Sequence, residues 1–274
     1  MKIYDCFSYW DEDLLLELRL NILNNYVDYF VIVEGNKTWQ NNYKKLRFDI
    51  SKFSKFKHKI IYISVEDMPD GDNPYLRENF QRNCIFRGLK NTTEDDLIIT
   101  SDLDEIPNPE VINNFQIQMR YAVFKQRHFY YKLNLASKKN PYWYGSRICI
   151  KKYLKSPQWL RSLKFKKRPF WRIDKFRLNN IIEDGGWHFS YLNTPKLIEE
   201  KLRSYTHHRE YDLNPMGISN IEKKIKNRES IYNLCVDQRK NQFSKGVKLD
   251  ILNINELPEY IGNNYEKFKE WLED

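Results

Sequence analysis

The feature that most constrains this chain is a series of short runs that are apolar at nearly every position. Tyr29-Phe30-Val31-Ile32-Val33, Lys59-Ile60-Ile61-Tyr62-Ile63 and Asp96-Leu97-Ile98-Ile99-Thr100 are of this kind, and Lys2–Ser8 reads as a further strand. A strand with one wet face alternates apolar and polar residues, whereas a near-continuous apolar run needs cover on both faces. Helical patterns lie between the runs. Asp11–Asn25 carries Leu15, Leu18 and Ile22 on one stripe with Leu16, Leu20 and Leu23 beside it, and Tyr75–Leu89 is a second helical segment. This order predicts an α/β fold with a mostly parallel central sheet flanked by helices.

Beyond residue 120 the pattern changes. Tyr121–Leu135 and Tyr142–Lys151 read as strands rich in Tyr, Phe and Trp, and Arg161–Arg177 as a basic loop. Asp184-Gly185-Gly186-Trp187-His188-Phe189-Ser190-Tyr191 reads as a turn followed by a strand. From Pro195 the chain is mostly helical and polar, ending in an amphipathic Tyr260–Leu272. No Pro/Gly/Ser linker interrupts it, so one continuous domain with a helical C-terminal extension is expected.

Composition narrows the class. With 9 Gly and 10 Pro in 274 residues, and 7 Trp, 19 Tyr and 16 Phe, the chain is neither collagen-like nor disordered. Its apolar runs are all shorter than the ~18 residues a membrane-spanning helix requires. The opening Met1-Lys2-Ile3-Tyr4-Asp5-Cys6 lacks the apolar core of a signal peptide. Cys6, Cys84, Cys149 and Cys235 form no CxxC pair and read as reduced, buried thiols. A cytoplasmic protein is expected. The net charge of +9 fits nucleic acid, an anionic membrane surface or a phosphorylated small molecule, and does not choose among them.

Ser101-Asp102-Leu103-Asp104-Glu105-Ile106-Pro107 follows an apolar run. Two carboxylates at the carboxyl edge of a parallel strand lie where open α/β sheets bind ligands, and they repel unless a cation sits beside them. Oxygen ligands suit Mg²⁺ or Mn²⁺, hard ions that also hold phosphates. The spacing alone is weak, since Asp11/Asp13 and Asp70/Asp72 share it, at a helix start and in a Pro/Gly loop. Asp102/Asp104 alone follows a strand and enters a Pro-marked turn; the alternative is a turn-forming acidic cluster.

Three blocks then become specific together. Phe30-Val31-Ile32-Val33-Glu34-Gly35-Asn36-Lys37-Thr38, Ser101–Pro107 and Gly186-Trp187-His188-Phe189-Ser190 occur in the order and rough spacing of glycosyltransferase family 17. The chain resembles that family from about residue 3 to residue 205. The resemblance implies a GT-A-type nucleotide-diphosphosugar transferase fold, a UDP-sugar donor (UDP-GlcNAc in the animal enzymes), a glycan acceptor, Mn²⁺ or Mg²⁺, and inversion at the anomeric carbon. The single domain is expected to comprise a nucleotide-binding half over 1–120, an acceptor and metal half over 121–195, and the helical extension over 196–274. The animal enzymes carry an N-terminal membrane anchor that this sequence does not show, which points to a cytoplasmic homologue acting on another glycan.

On that basis Asp104, with Asp102 directly or through water, holds the ion against the leaving diphosphate. His188 either completes the coordination as a neutral imidazole or hydrogen-bonds within a turn. Inversion needs a base for the acceptor hydroxyl. The candidates are Asp184, whose following Gly pair would admit a sugar closely, and Glu105, which on a regular strand points away from the Asp102/Asp104 face unless a turn reverses it. Glu210 is a remoter choice. Glu34 either contacts ribose or base, or caps a turn with Asn36 and Thr38. Arg77 and Arg82 pair with phosphate or with Glu78. Trp143, Tyr144 and Trp187 would stack on acceptor sugars, although core packing is the default for any aromatic here.

The Arg161–Arg177 stretch, with eight Lys or Arg and one Asp, is either a solvated loop or an attractor of a diphosphate, an anionic membrane or a lipid-linked glycan. Two rival classes remain. A nucleic-acid-processing protein fits the charge, but no recognisable binding motif is present and nuclease sites gather more acidic ligands, so no nucleic-acid partner is expected. A catalytically silent sugar-binding module is the other.

Overall fold

The apolar runs become the middle of a sheet. β1 (Ile3–Ser8), β2 (Tyr29–Gly35), β3 (Ile60–Val65) and β4 (Leu97–Asp102) pair in parallel in the order β3-β2-β1-β4. In this computed structural model residues 1–139, 141–164, 180–204, 211–212, 215–231 and 246–274 are described. They form two compact units, Met1–Gln126 with Tyr144–Gly186, and Arg127–Trp143 with Trp187–Asp274. The division falls inside strands, so it does not coincide with the expected segment limits at residues 120 and 195.

In the first unit, β4 continues through a two-residue turn into β5 (Glu105–Pro107). β6 (Tyr121–Tyr130) leads through the 131–141 segment, which contains β7 (Leu135–Ala136), to β8 (Tyr142–Ile150). β8 runs antiparallel to β4, with Thr100 opposite Arg147. The sheet is therefore mixed on this side, not mostly parallel throughout. The segment joining the neighbouring β6 and β8 is too short for the helical crossover that parallel neighbours need. β9 (Ile181–Ile182) adds to β6 in parallel.

Helix α1 (Asp13–Leu23) is buried on more than the two expected leucine stripes, because Arg19 is inside as well. Asn73 caps α2 (Pro74–Asn83) by accepting from Tyr75 N, and Pro74 stands at its first position. The expected long helix to Leu89 instead tightens to a 3₁₀ turn over Cys84–Gly88. At Gly88 the chain runs so close to β2 that a Cβ would lie 2.5 Å from Val31 Cγ1. Asn108 accepts from Glu110 N and Pro109 opens a 3₁₀ turn. α3 (Pro157–Ser162) is capped by Ser156 and takes in the start of the basic stretch. Residues 165–177 of that stretch lie outside the described residues.

In the second unit β10 (Gly186–Ser190) lies parallel to β6, β7 antiparallel to β6, and β11 (Asp250–Ile251) antiparallel to β7. The long strand expected to reach Leu135 stops at Tyr130, because Tyr131 has φ +62°. α4 (Pro195–Ser204) and α5 (Ile218–Lys226) bury Ile198, Leu202 and Ile221 with Tyr130, Leu135 and Leu249. The expected C-terminal helix is broken at Asn264, whose φ and ψ of −125° and 36° are not helical, into Glu259–Asn263 and Tyr265–Phe268, and tightens to a 3₁₀ turn over Lys269–Trp271. Among the described residues no helix is long and apolar enough to cross a membrane. Cys6, Cys84 and Cys149 are free and buried, as expected; Cys235 lies outside the described residues.

Candidate functional site

The register of the parallel strands fixes where the acidic block sits. Ser8 of β1 lies opposite Val33 of β2 and opposite Asp102 of β4, so Asp102 stands at the carboxyl edge of the sheet. The turn at Leu103-Asp104 then redirects the chain and brings the Glu105 side chain back to Asp102. Glu105 Oε2 accepts from Asp102 N at 3.1 Å. The strand-only expectation that Glu105 points away is thus overturned by the turn. Gly145 on β8 makes the room: a Cβ there would lie 2.5 Å from Glu105 Cδ.

A residue that the sequence reading missed shapes this turn. Arg19 is fully buried and its Nη1 donates to the carbonyls of Asp102, Leu103 and Glu105 at 3.1, 3.1 and 2.8 Å. Its Nε and Nη2 meet the buried Asp5 at 2.7 and 2.6 Å, and its guanidinium lies 4.4 Å from the Phe7 ring centroid. The available signal was Asp5, the one charge in the otherwise apolar β1, and Arg19, flanked by Leu18 and Leu20 on α1.

Two more arginines close on the rim. Arg82 Nη2 from α2 meets Asp102 Oδ1 at 3.0 Å and Glu78 at 2.9 Å. Arg161 Nη2 from α3 meets Asp102 Oδ2 at 2.8 Å and Glu105 Oε1 at 2.7 Å. Burial alone would raise the Asp102 carboxyl, but Arg161 and Arg82 overcome it and hold the group well below the usual carboxylate range. Arg147, from β8, donates to Leu163 O, and burial followed by the charge of Arg161 pushes its pKa down to about 9.

As arranged, the rim does not fit a divalent ion. Each Asp102 oxygen is engaged by a guanidinium, and the two Glu105 oxygens by Arg161 and Asp102 N. Among the described residues no group of three or more His, Cys, Asp or Glu is placed to hold a metal. Asp104 is partly exposed in the turn.

The other expected site residues fall elsewhere. Glu34 is fully buried and accepts from Lys44 Nζ, Arg47 N, Phe48 N and Tyr62 OH at 2.5, 2.7, 3.0 and 2.9 Å. It organises the loop after β2, in place of a ribose contact or a cap on Asn36 and Thr38. Arg77 is buried and ties down two loops through Trp39 O at 2.6 Å and Gly71 O, rather than reaching toward a phosphate. Asp184 is exposed at φ +48°. The Gly pair after it gives way to the protein's own backbone: a Cβ on Gly185 would sit 2.6 Å from Lys125 N, and one on Gly186 2.5 Å from Asn108 N. Tyr144 packs on the core of the first unit. Glu210 lies outside the described residues.

In the second unit the parallel pairing sets His188 directly opposite His128, so the two imidazoles stack at 4.4 Å. Both Nε2 atoms meet Ser190 Oγ, at 2.9 Å from His128 and 3.0 Å from His188. His188 thus spends Nε2 on Ser190 of its own strand. Burial and the neighbouring His188 hold His128 well below the usual histidine pKa, so it is neutral. Trp143 packs against both rings, and Trp187 donates from Nε1 to Glu256 O at 3.0 Å. This unit also has an open cleft of about 400 Å³, lined in part by Tyr131, Asn193, Glu222, Ile225 and Trp271.

A mixed α/β protein with an acid–arginine rim at the carboxyl edge of its parallel strands carries that rim where open α/β sheets bind their ligands. The family follows from comparison: the model of glycosyltransferase family 17 matches residues 1–273, and the chain belongs to that family. It is similar to the human β-1,4-mannosyl-glycoprotein 4-β-N-acetylglucosaminyltransferase at 25% identity over 229 residues, covering 69% of this chain and 40% of that protein. The enzymes of the same name from Rattus norvegicus and Mus musculus are 25% and 24% identical over the same coverage. The chain thus spans about 40% of the length of these relatives. Among solved structures, HddC from Yersinia pseudotuberculosis covers 70% of this chain and 91% of its own, with 12% identity and a TM-score of 0.33.

Proposed function

We propose that this chain is a GT-A-type glycosyltransferase that moves N-acetylglucosamine from a UDP-sugar to a hydroxyl of an oligosaccharide or glycoconjugate, with inversion. The observation that carries the reading is the rim at the end of β4, where Asp102 meets Arg82 and Arg161 and Glu105 meets Arg161, with Asp104 beside them in the turn. Breaking the bond between a sugar and a diphosphate puts negative charge on the leaving oxygen. Cationic donors already fixed where that charge develops lower the barrier without reorganising.

Inversion needs one group to take the acceptor proton. Glu105 is buried with both oxygens engaged, so it acts as a positioning group for Asp102 and Arg161. Asp184, exposed, is the base. The acceptor class is a glycan: in the second-unit cleft Trp271 offers an apolar face to a pyranose, and Asn193 and Glu222 offer partners for its hydroxyls. Mn²⁺ or Mg²⁺ belongs to this reading with Asp104 and a released Asp102 as its carboxylates. With the arginines in place those residues do not offer an ion its ligand set, so the guanidiniums of Arg82 and Arg161 are the groups that meet the leaving charge.

A donor panel of UDP-GlcNAc, UDP-Gal, UDP-Glc and GDP-Man, scored by hydrolysis with and without Mn²⁺, tests the reading. Turnover of a UDP-sugar is expected, lost in Asp104→Ala at an unchanged melting temperature. No turnover with any donor, or equal turnover by the variant, overturns it.

A further inference from the structure

Asp102 occupies an unusual position for a ligand-binding carboxylate. It is gripped by one guanidinium on each oxygen, Arg82 at 3.0 Å and Arg161 at 2.8 Å. The arginine side chains are only 5% and 14% exposed, whereas that of Asp102 is 40% exposed. The cations therefore form the floor of the site and the carboxylate lies on its open side. Among the described residues each arginine also keeps a buried Nε–H with no hydrogen-bond partner. A buried donor left unmade is costly, and two in one place mark a site built for an anion with more acceptor oxygens than a carboxylate has.

Phosphate meets that description. Its oxygens present the same edge to a pair of guanidiniums as a carboxylate does, and the planar fork of arginine suits both. A phosphate set between Arg82 and Arg161 would keep both charge-assisted bonds and bring a third oxygen for the idle Nε–H groups. Neither arginine stands alone. Glu78 and Gln158 hold Arg82, and Glu105 holds Arg161, so both stay in place when Asp102 swings away. Asp102, at a strand end before a turn, has solvent to swing into.

We propose that Arg82 and Arg161 form a binding site for the diphosphate of a nucleotide, and that Asp102 fills this site as an internal anion until the ligand displaces it. The site rests on the transferase reading only for the identity of the nucleotide; the phosphate chemistry stands on the arginines. It inverts the usual expectation for Asp102. If that carboxylate served only to hold an ion for the donor, its removal would weaken nucleotide binding. As a competitor for the arginines, its removal strengthens binding when no metal is present.

Calorimetry with inorganic pyrophosphate and with UDP, in EDTA, decides between these. Wild type is expected to bind both, Asp102→Asn to bind at least tenfold more tightly, and Arg161→Gln and Arg82→Gln at least tenfold more weakly. The Asp102→Asn/Arg161→Gln double variant loses the gain. Equal or weaker binding by Asp102→Asn in EDTA overturns the proposal, as does unchanged binding by Arg161→Gln. Should Arg161→Gln fail to fold by circular dichroism, Arg161→Lys keeps the charge without the fork; it is expected to bind severalfold more weakly than wild type, and wild-type affinity from it overturns the proposal. Pyrophosphate binding in this pattern without any sugar-nucleotide turnover would sink the transferase reading and leave this site standing. Turnover with pyrophosphate affinities that ignore these substitutions would do the reverse.

Discussion

Replacing Arg19 with Met would leave the fully buried Asp5 carboxylate without its counter-ion and take the donor from the carbonyls of Asp102, Leu103 and Glu105. Removing one partner of a buried ion pair costs about 3–5 kcal/mol. Each rim carbonyl that loses its hydrogen bond adds roughly 1 kcal/mol. The loss is then on the order of 6–8 kcal/mol, against a typical total of about 5–15 kcal/mol for a folded domain. Arg19→Met is expected to unfold at far lower urea, or not to fold. The double variant Asp5→Leu/Arg19→Met removes both charges and should recover the ion-pair part, about 3 kcal/mol or more, while the deficit at the carbonyls remains. Arg19→Lys keeps a charge for Asp5 and should fall between wild type and Met. Urea unfolding followed by circular dichroism and tryptophan fluorescence reads all three. Arg19→Met within about 1 kcal/mol of wild type would refute the reasoning, as would a double variant no more stable than the single one.

Three further outcomes are expected. Gly145→Ala puts a Cβ into the space of the buried Glu105 carboxylate, so it should destabilise by roughly 1–3 kcal/mol and cut donor hydrolysis; a fully active, equally stable variant would show that Glu105 need not sit there. His128 is buried neutral among His188, Tyr130 and Trp143, with its folded pKa below the unfolded one. Its stabilising contribution is whole above about pH 6.5 and falls with pH below that, by at most about 1.4 kcal/mol per pH unit. His128→Gln should flatten the stability profile between pH 7 and 5, and an unchanged slope would assign the effect elsewhere. Trp271→Ala should raise the KM for a glycan acceptor several-fold and leave donor hydrolysis alone; an unchanged acceptor KM removes the second-unit cleft from the acceptor site.

The central strands were legible because burial on both faces leaves an unmistakable apolar run, as in Phe30–Val33 and Leu97–Ile99. The acidic block was legible because strand, carboxylates and proline occur in one line of sequence. What stayed hidden depends on contacts between distant segments. Arg19 and Asp5 are 14 residues apart, and only the packing of α1 on β1 joins them. Arg161 looked like one member of a basic stretch until α3 aimed it at Asp102 and Glu105. Glu34 stays open in the sequence between a ligand contact and a turn cap, because four local donors cannot be counted from spacing. The glycines of the Asp184 turn suggested space for a sugar, whereas the backbone of residues 106–108 and 124–125 fills it. His128 and His188 face each other only through the register of β6 and β10.

A crystal structure of the chain with UDP bound is the most direct measurement of where the donor sits. The diphosphate should lie at the carboxyl end of β4 within hydrogen-bond reach of Arg82 and Arg161, with Asp102 turned out from between them. A nucleotide bound away from that strand end, with Asp102 still clasped by both guanidiniums, would contradict the assignment of the rim as the donor site.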